Sequence, residues 1–369
     1  MTIPQGYKQT ELGIIPEDWE IVNLGNVAKV NGRIGFRGYT VADLVGAGQG
    51  AYTIGGKHIA NMIIDLSDAE YISWEKYYES PEIMVKRGDI VLAQRGSLGK
   101  SAIVLNDIGP ATINPSLVLI NNIKCSNEYL AYWLQSDRIV QYICSINSQT
   151  SIPMITQAQI EQIPINIPSS LAEQRAIAEA LSDVDGLIAA LDKKIAKNRL
   201  LKQGAMCKLL SLSGRGKKWF NVRLGNVVNI RKGSMLTSDK FVAGNIPVIA
   251  GGKIPAGYHN VANRPANTIT ISASGASAGY VALYNKPIFA TDCSTIEPCS
   301  TFDIHYIYHL LKYYQSEIFA MQTGGAQPHV HPSDLNELQI LYAKDIEEQQ
   351  AIATILSDMD KEIADLEAQ

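Results

Sequence analysis

Two stretches of the chain carry apolar residues at alternating spacings of four and three. In the first these are Ile177, Leu181, Val184, Ile188, Leu191 and Ile195; in the second, Ile352, Leu356, Met359, Ile363 and Leu366. This is a heptad stripe, and it predicts that the two helices pack on each other. The first helix is predicted from Leu171 to about Leu210, on the order of 60 Å at 1.5 Å per residue, which suits a spacer. "SLSGRGKK" at 211–218 then breaks it. Elsewhere the pattern changes. Short β-like runs are separated by Gly-rich turns such as "VGAGQG" and "SASGASAG". A short aromatic helix comes late in each half, "NEYLAYWLQS" and "DIHYIYHLLKYY", and an isoleucine-rich segment leads into each long helix. Strands with segregated helices predict an α+β fold.

The two halves repeat. "LAEQRAIAEALSDVDGLIAAL" from Leu171 returns as "IEEQQAIATILSDMDKEIADL" from Ile346, with no gap. Ile160, Ile163 and Ile165 align with Leu335, Leu338 and Ile340 at the same offset, and "WEIVNLGNV" from Trp19 returns as "WFNVRLGNV" from Trp219. The chain therefore reads as two copies of one unit, a variable globular part followed by a similar helix. The expected domains are 1–168, a spacer helix over 169–210, a second globular domain over 211–343 and a second, shorter spacer helix over 344–369.

The two EQxxIAxxLSDxD helices, the opening "GYKQTELGIIPEDWEIVNLGNV" and the run "LKQGAMCKLL" together resemble a type I restriction–modification specificity (S) subunit. The resemblance covers nearly the whole chain. It implies that each globular unit is a target recognition domain reading one half of a split, asymmetric double-stranded DNA site, with the long helices forming an antiparallel coiled coil that spaces the pseudo-two-fold repeat. It also implies two methyltransferase subunits as partners, with S-adenosylmethionine bound there rather than here, and motor-nuclease subunits for cleavage. The chain itself is then non-catalytic and cytoplasmic.

Composition narrows the field. Hydrophobic residues make up 46% of the 369, enough for packed cores. The opening "MTIPQGYKQTELG" has no basic start or apolar core of a signal peptide, and no apolar run is long enough for a membrane span. The five cysteines form no CxxC pair, which argues against a disulfide framework or a structural zinc site; they are expected as buried thiols. The net charge of -4 is uneven: residues 343–369 hold 2 basic and 8 acidic residues, whereas 214–342 hold 11 basic and 7 acidic. This argues against a generic polyanion binder and does not exclude a specific one.

The chemical motifs are weak. "AQRGSLGKS" at 93–101 suggests a phosphate cradle, but Gln94 stands where a Walker A loop needs its first glycine. The matching "TITISASGASAGYVALYN" keeps glycines and has no lysine, so a hairpin turn is favoured. "INPSL" at 113–117 lacks the second proline and the aromatic of an amino-methyltransferase motif. His305 and His309 have helical spacing for a metal, but without a HExxH pattern surface or core histidines are favoured and no metal site is expected. Candidate DNA-reading residues lie on polar loops: Arg33, Arg37, Lys57, His58, Arg95, Ser97, Lys100, Gln149 and Thr150 in the first unit, and Arg231, Lys232, Lys253, Ser274, Ser277, Gln327 and His329 in the second. Arginine suits guanine and glutamine suits adenine in the major groove. Two rival readings stand beside this one, a nucleotide hydrolase using the 95–101 turn and a protein-only coiled-coil scaffold.

Overall fold

A computed structural model describes residues 3–10, 12–146, 153–211, 219–325 and 327–369 of the chain. It divides into two compact units, Met1–Ile188 and Ala189–Gln369. Both are α+β and both are built alike.

In unit 1 a four-stranded antiparallel sheet has the order Lys29–Gly32, Leu117–Asn121, Ile90–Ala93, Ser101–Ile103. Its two central strands are apolar at every position except Asn121, at the end of one of them, because both faces are covered. Ile90, Leu92, Val118 and Ile120 point into one core, together with Leu130, Leu134 and Ile143. Val91, Ala93, Leu117 and Leu119 point into a second, with Ile54 and Ile113. Alternate side chains leave a strand on opposite faces, so an unbroken apolar run is what a doubly covered strand requires. The second sheet contributes Gly50–Ile54, which pairs parallel with Ala111–Ile113 and antiparallel with Glu70–Ser73. Helix α1, Asn127–Gln135, is capped by the Ser126 hydroxyl, which accepts from the Tyr129 amide at 3.3 Å. Helix α2 is one continuous element, Leu171–Leu210. Its residues 171–188 belong to unit 1 and its residues 189–210 to unit 2.

Unit 2 repeats the plan. Its main sheet runs Ile230–Lys232, Cys293–Ile296, Thr268–Ser272, Val281–Tyr284, the same order and the same antiparallel pairings. Ile246–Ile249 pairs parallel with Phe289–Ala290 and antiparallel with Gly257–His259. Helix α3, Ile304–Tyr313, is capped by Asp303, and helix α4 spans Ile346–Glu367. The tertiary repeat thus extends through the regions where the two sequences diverge.

The most similar residues of the two copies close each unit. A short antiparallel pair joins the opening strand to the strand before the long helix: Glu20–Asn23 with Pro164–Ile167, and Trp219–Arg223 with Gln339–Ala343. Trp19 Nε1 donates to the Glu173 carboxylate at 3.1 Å, and Trp219 Nε1 to Glu348 at 2.9 Å. The neighbouring glutamines are buried plugs. Gln174 accepts from the Ser126 amide at 2.9 Å and donates to the Pro168 carbonyl at 2.8 Å. Gln349 accepts from the Asp303 amide at 2.8 Å and donates to the Ala343 carbonyl at 2.7 Å. The Glu-Gln dipeptide therefore ties strand, aromatic helix and long helix together, and it recurs because all three elements recur.

The heptad stripes differ in outcome. On α4, Ile352, Leu356, Ile363 and Leu366 are buried and Met359 is half-buried. Part of what covers α4 comes from the far end of α2, where Ala205, Met206, Leu209 and Leu210 join the same core. Asn198 bonds Glu362 at 3.0 Å, Arg199 bonds Glu367 at 2.6 Å and Lys202 pairs with Asp360, so within unit 2 these two helical segments run antiparallel. The equivalent face of α2 in unit 1 is not a buried seam. Ile177 is half-buried, but Leu181, Val184 and Ile188 are 43%, 52% and 54% exposed. Leu191 and Ile195, in unit 2, are half-buried. The expectation of one seam along the whole stripe is corrected to this extent: periodicity supplies the apolar face, but burial needs a partner at the same level of the helix.

Candidate nucleic-acid interface

The loop that carries "RGSLGK" is a hairpin turn. It connects Ile90–Ala93 to Ser101–Ile103, with the Ala93 amide donating to Lys100 O at 2.8 Å and the Lys100 amide to Ser97 O at 3.3 Å. Gly96 and Gly99 have φ of 74° and 80°, the left-handed region that disfavours a side chain. A Cβ on Gly99 would also lie 3.1 Å from Val140. The second copy uses Gly275 and Gly279, at φ of 80° and 85°, in the same turn. A phosphate cradle needs a helix N-terminus after its lysine, so that free amides point at the phosphate. Here a strand follows Lys100, and its backbone is engaged in the sheet. The nucleotide-hydrolase reading loses its structural basis.

Each turn is held from the opposite side by a segment that precedes the closing strand. The Gly96 amide donates to Pro153 O at 3.1 Å, and the Ile155 amide to Gln94 O at 3.0 Å. In unit 2 the Gly275 amide donates to Pro328 O at 2.9 Å, and the Val330 amide to Ala273 O at 3.0 Å. In unit 1 this junction borders a cleft of about 610 Å³, lined among others by Arg33, Gly35, Gln94, Arg95 and Thr156. The "NGRIGFRG" loop and the "RGSLGK" turn thus meet at one place.

The predicted residues divide into exposed and internal ones. Arg95, Ser97 and Lys100 are exposed on the turn. Lys57 is exposed and lies 3.2 Å from Asp68. Arg37 is half-buried, 3.5 Å from Glu82. Arg33 is 8% exposed: its guanidinium donates to Ile113 O at 3.3 Å and to the Thr112 hydroxyl at 3.0 Å, and burial lowers its pKa. His58 is 3% exposed and its Nδ1 accepts from the Gly55 amide at 2.9 Å. Arg33 and His58 are therefore corrected to buried supports of the loops, because Arg33 bonds Ile113 O and the Thr112 hydroxyl and His58 bonds the Gly55 amide. Gln149 and Thr150 lie outside the described residues.

In unit 2, Arg231, Lys232, Lys253 and Gln327 are exposed, with Arg231 2.7 Å from Glu297. Lys253 Nζ lies 5.5 Å from the centre of the Tyr280 ring. Ser274 and Ser277 are half-buried, and the Ser274 hydroxyl bonds Asp292. His329 bridges to Ser274 and stacks on His331 at 6.2 Å. A Cβ on Gly251 would come within 2.5 Å of Ser274 O, so the "AGGK" loop packs against the turn. Thr156 and Gln157, exposed beside the first cleft, escaped sequence reasoning; only the fold brings them to Arg95, and no motif marks them.

One further expectation, that of the cysteines, changes. His309 is buried on α3, its Nε2 3.0 Å from the Ser357 hydroxyl, and burial next to Lys202 and His305 pushes its pKa down to about 3. It is a neutral core histidine, and the 4.0 Å approach of its Nδ1 to Asp360 is too long for a hydrogen bond. All five cysteines are free thiols, but only Cys125 and Cys293 are buried; Cys144, Cys207 and Cys299 are exposed. No helix among the described residues is long and apolar enough to cross a membrane.

The structure defines a class: a tandem α+β repeat in which each unit sets a polar, glycine-hinged turn beside a second polar loop. The comparisons give this class its family. Residues 16–198 and 216–369 each match the type I restriction modification DNA specificity domain, so the chain belongs to that family and is the specificity component of such a system, not a catalytic one. It is similar to a protein of Mycoplasma pneumoniae provisionally named a type I specificity subunit, with 24% identity over 72% of this chain and 74% of that one. It is also similar to the type I restriction enzyme MjaVIII specificity subunit of Methanocaldococcus jannaschii, with 27% identity over 56% of this chain; there it spans about half of the relative's length, 49%. In fold it matches the crystal structure of a type I restriction–modification S subunit from M. genitalium, at a TM-score of 0.68 and 18% identity, covering 100% of this chain and 93% of that one.

Proposed function

We propose that each unit reads one half of a split DNA site, and that two docked methyltransferase subunits modify one adenine in each half. The observation that carries this is the pair of equivalent turns with unlike side chains: Arg95, Ser97 and Lys100 on one, Ser274 and Ser277 on the other, held by the same backbone bonds in both units. Equal scaffolds place their loops alike; unequal side chains present different donors and acceptors to base edges. The two half-sites therefore differ in sequence. The adenines are reached by base flipping in the partners, which carry S-adenosylmethionine. Motor-nuclease subunits complete the cleaving form, and the complex works in the cytoplasm, where the DNA is.

The mild negative charge fits this division of labour. Affinity for duplex DNA depends on phosphate neutralisation, and a chain of net charge -4 leaves most of that to its partners. The test is a map of methylated bases in cells that also express the cognate methyltransferase. Exchanging residues 214–342 for the same region of another family member should change one half of the motif and keep the other. An unchanged motif would falsify the assignment of one half-site to each unit.

A further inference from the structure

The bonds that pin the two turns also set the two units in register, residue by residue. Ala93 pairs with Leu117 in unit 1, and Ser272 with Cys293 in unit 2. One residue further along each turn, the Gln94 amide donates to Ser116 O at 2.9 Å, and the Ala273 amide to Asp292 O at 3.2 Å. Arg95 bridges to Met154, and Ser274 to His329. Arg95 therefore corresponds to Ser274, and Ser116 to Asp292. A charged and a hydroxyl side chain have exchanged places between the units, and the charge has changed sign.

Asp292 lies at the entrance of a strand, outside the polar loops that the sequence marks. The fold nevertheless brings the candidate loops of unit 2 together around it. The Ser274 hydroxyl of the turn donates to its Oδ2. A Cβ on Gly251, in the "AGGK" loop, would lie 3.3 Å from the same oxygen. Gly233, which follows Lys232, donates its amide to Cys293 O at 2.8 Å, and a Cβ there would lie 2.1 Å from Thr291 O. His329 is joined to the turn through its bridge to Ser274. The carboxylate at this junction is exposed. Among the described residues its Oδ1 takes no hydrogen bond and no cation pairs with it.

A carboxylate on a surface that faces phosphates is repelled by them, and a hydrogen-bond donor on the ligand offsets that cost. An ionised carboxylate can only accept. In the major groove guanine shows two acceptors, and thymine an acceptor beside a methyl group. Adenine shows its amino group beside the N7 acceptor, which opposes the second carboxylate oxygen. Cytosine shows an amino group with no acceptor next to it.

We infer that Asp292 determines specificity in unit 2 by reading a cytosine, its Oδ1 accepting from the cytosine N4 amino group in the major groove while Ser274 holds Oδ2. The inference rests on the reading that each unit takes one half-site. In unit 1 the same junction carries Arg95, a donor suited to guanine, so the two units meet unlike bases from like positions.

The test is a map of methylated bases in cells that express Asp292→Asn together with the cognate methyltransferase. Asparagine keeps an oxygen for the Ser274 hydroxyl and puts a donor where Oδ1 was, so a purely structural role survives the change. One C·G pair in the half-site of unit 2 should be replaced by an A·T pair or no longer be required, with every other position kept. Asp292→Ala should release the same pair. With the purified assembled complex, changing that pair in a duplex should weaken wild-type binding about tenfold and leave Asp292→Asn binding unchanged or tighter. A motif that both variants leave unaltered overturns the inference, and so does release of a position that is not cytosine. If methylation is lost altogether, wild-type discrimination among the duplexes by the variant complexes also overturns it. Exchange of residues 214–342 judges the wider reading separately: when it changes one half of the motif and the Asp292 variants change nothing, only the role of Asp292 fails.

Discussion

At the residue scale, the repeated Glu-Gln pair explains more of the molecule than any motif with a chemical look. Gln349 is fully buried and satisfies one backbone amide and one carbonyl on two different elements. Gln349→Met keeps the volume and orphans both groups, each costing about 1–3 kcal/mol when left unsatisfied. Urea unfolding should show a loss of that order, and Gln174→Met should behave alike in unit 1. Gly99→Ala should cost about 1–2 kcal/mol, because a side chain is strained at its positive φ. Lys100→Ala, on the same turn, should leave stability within about 0.5 kcal/mol. In the assembled complex it should reduce the salt dependence of DNA binding by about one phosphate contact. His309 gives a pH signature. Its folded pKa, about 3, lies below the unfolded value near 6.5. Above the unfolded value both states are neutral; as pH falls below it, the unfolded state takes up a proton that the folded state refuses. Stability should therefore fall from about pH 6.5 towards 3, and His309→Gln should flatten that part of the curve measured by thermal unfolding.

At the element scale, the same heptad stripe has two fates. Leu356 on α4 is fully buried, whereas Ile188 on α2 is 54% exposed. Leu356→Ala should cost about 2–5 kcal/mol through lost packing and a residual cavity, and Ile188→Ala should stay within about 0.5 kcal/mol. Denaturant melts of the two variants separate a packed stripe from an open one; equal losses would contradict the burial described here. The glycine-hinged turns teach a related lesson. Sequence suggested a turn because the second copy keeps glycines and drops lysine. The hydrogen bonds give the reason: both turns close a hairpin and are pinned by a segment near residue 153 or 328.

At the scale of the whole molecule, the repeat of sheet order and of strand pairing shows two copies of one scaffold carrying different loop side chains. That arrangement is what a split, asymmetric target asks of its reader, and it makes recognition modular. A variant with both turns altered should lose both halves of the motif independently, since mutations on separate units with no shared partners add. The methylation map of single and double turn variants checks this.

The sequence by itself determined the repeat, the α+β class, the long helices and the family, because these rest on local periodicity and on residues that keep the same neighbours in both copies. Tertiary structure decided the rest. Arg33 and His58 look like surface cations in a list of loop residues, yet the fold turns them inward onto backbone partners. Thr156 and Gln157 carry no motif, and only chain packing brings them to the cleft beside Arg95. Leu181, Val184 and Ile188 follow a faultless heptad and remain exposed. Periodicity specifies which side of a helix is apolar; whether that side is buried depends on what else in space lies against it.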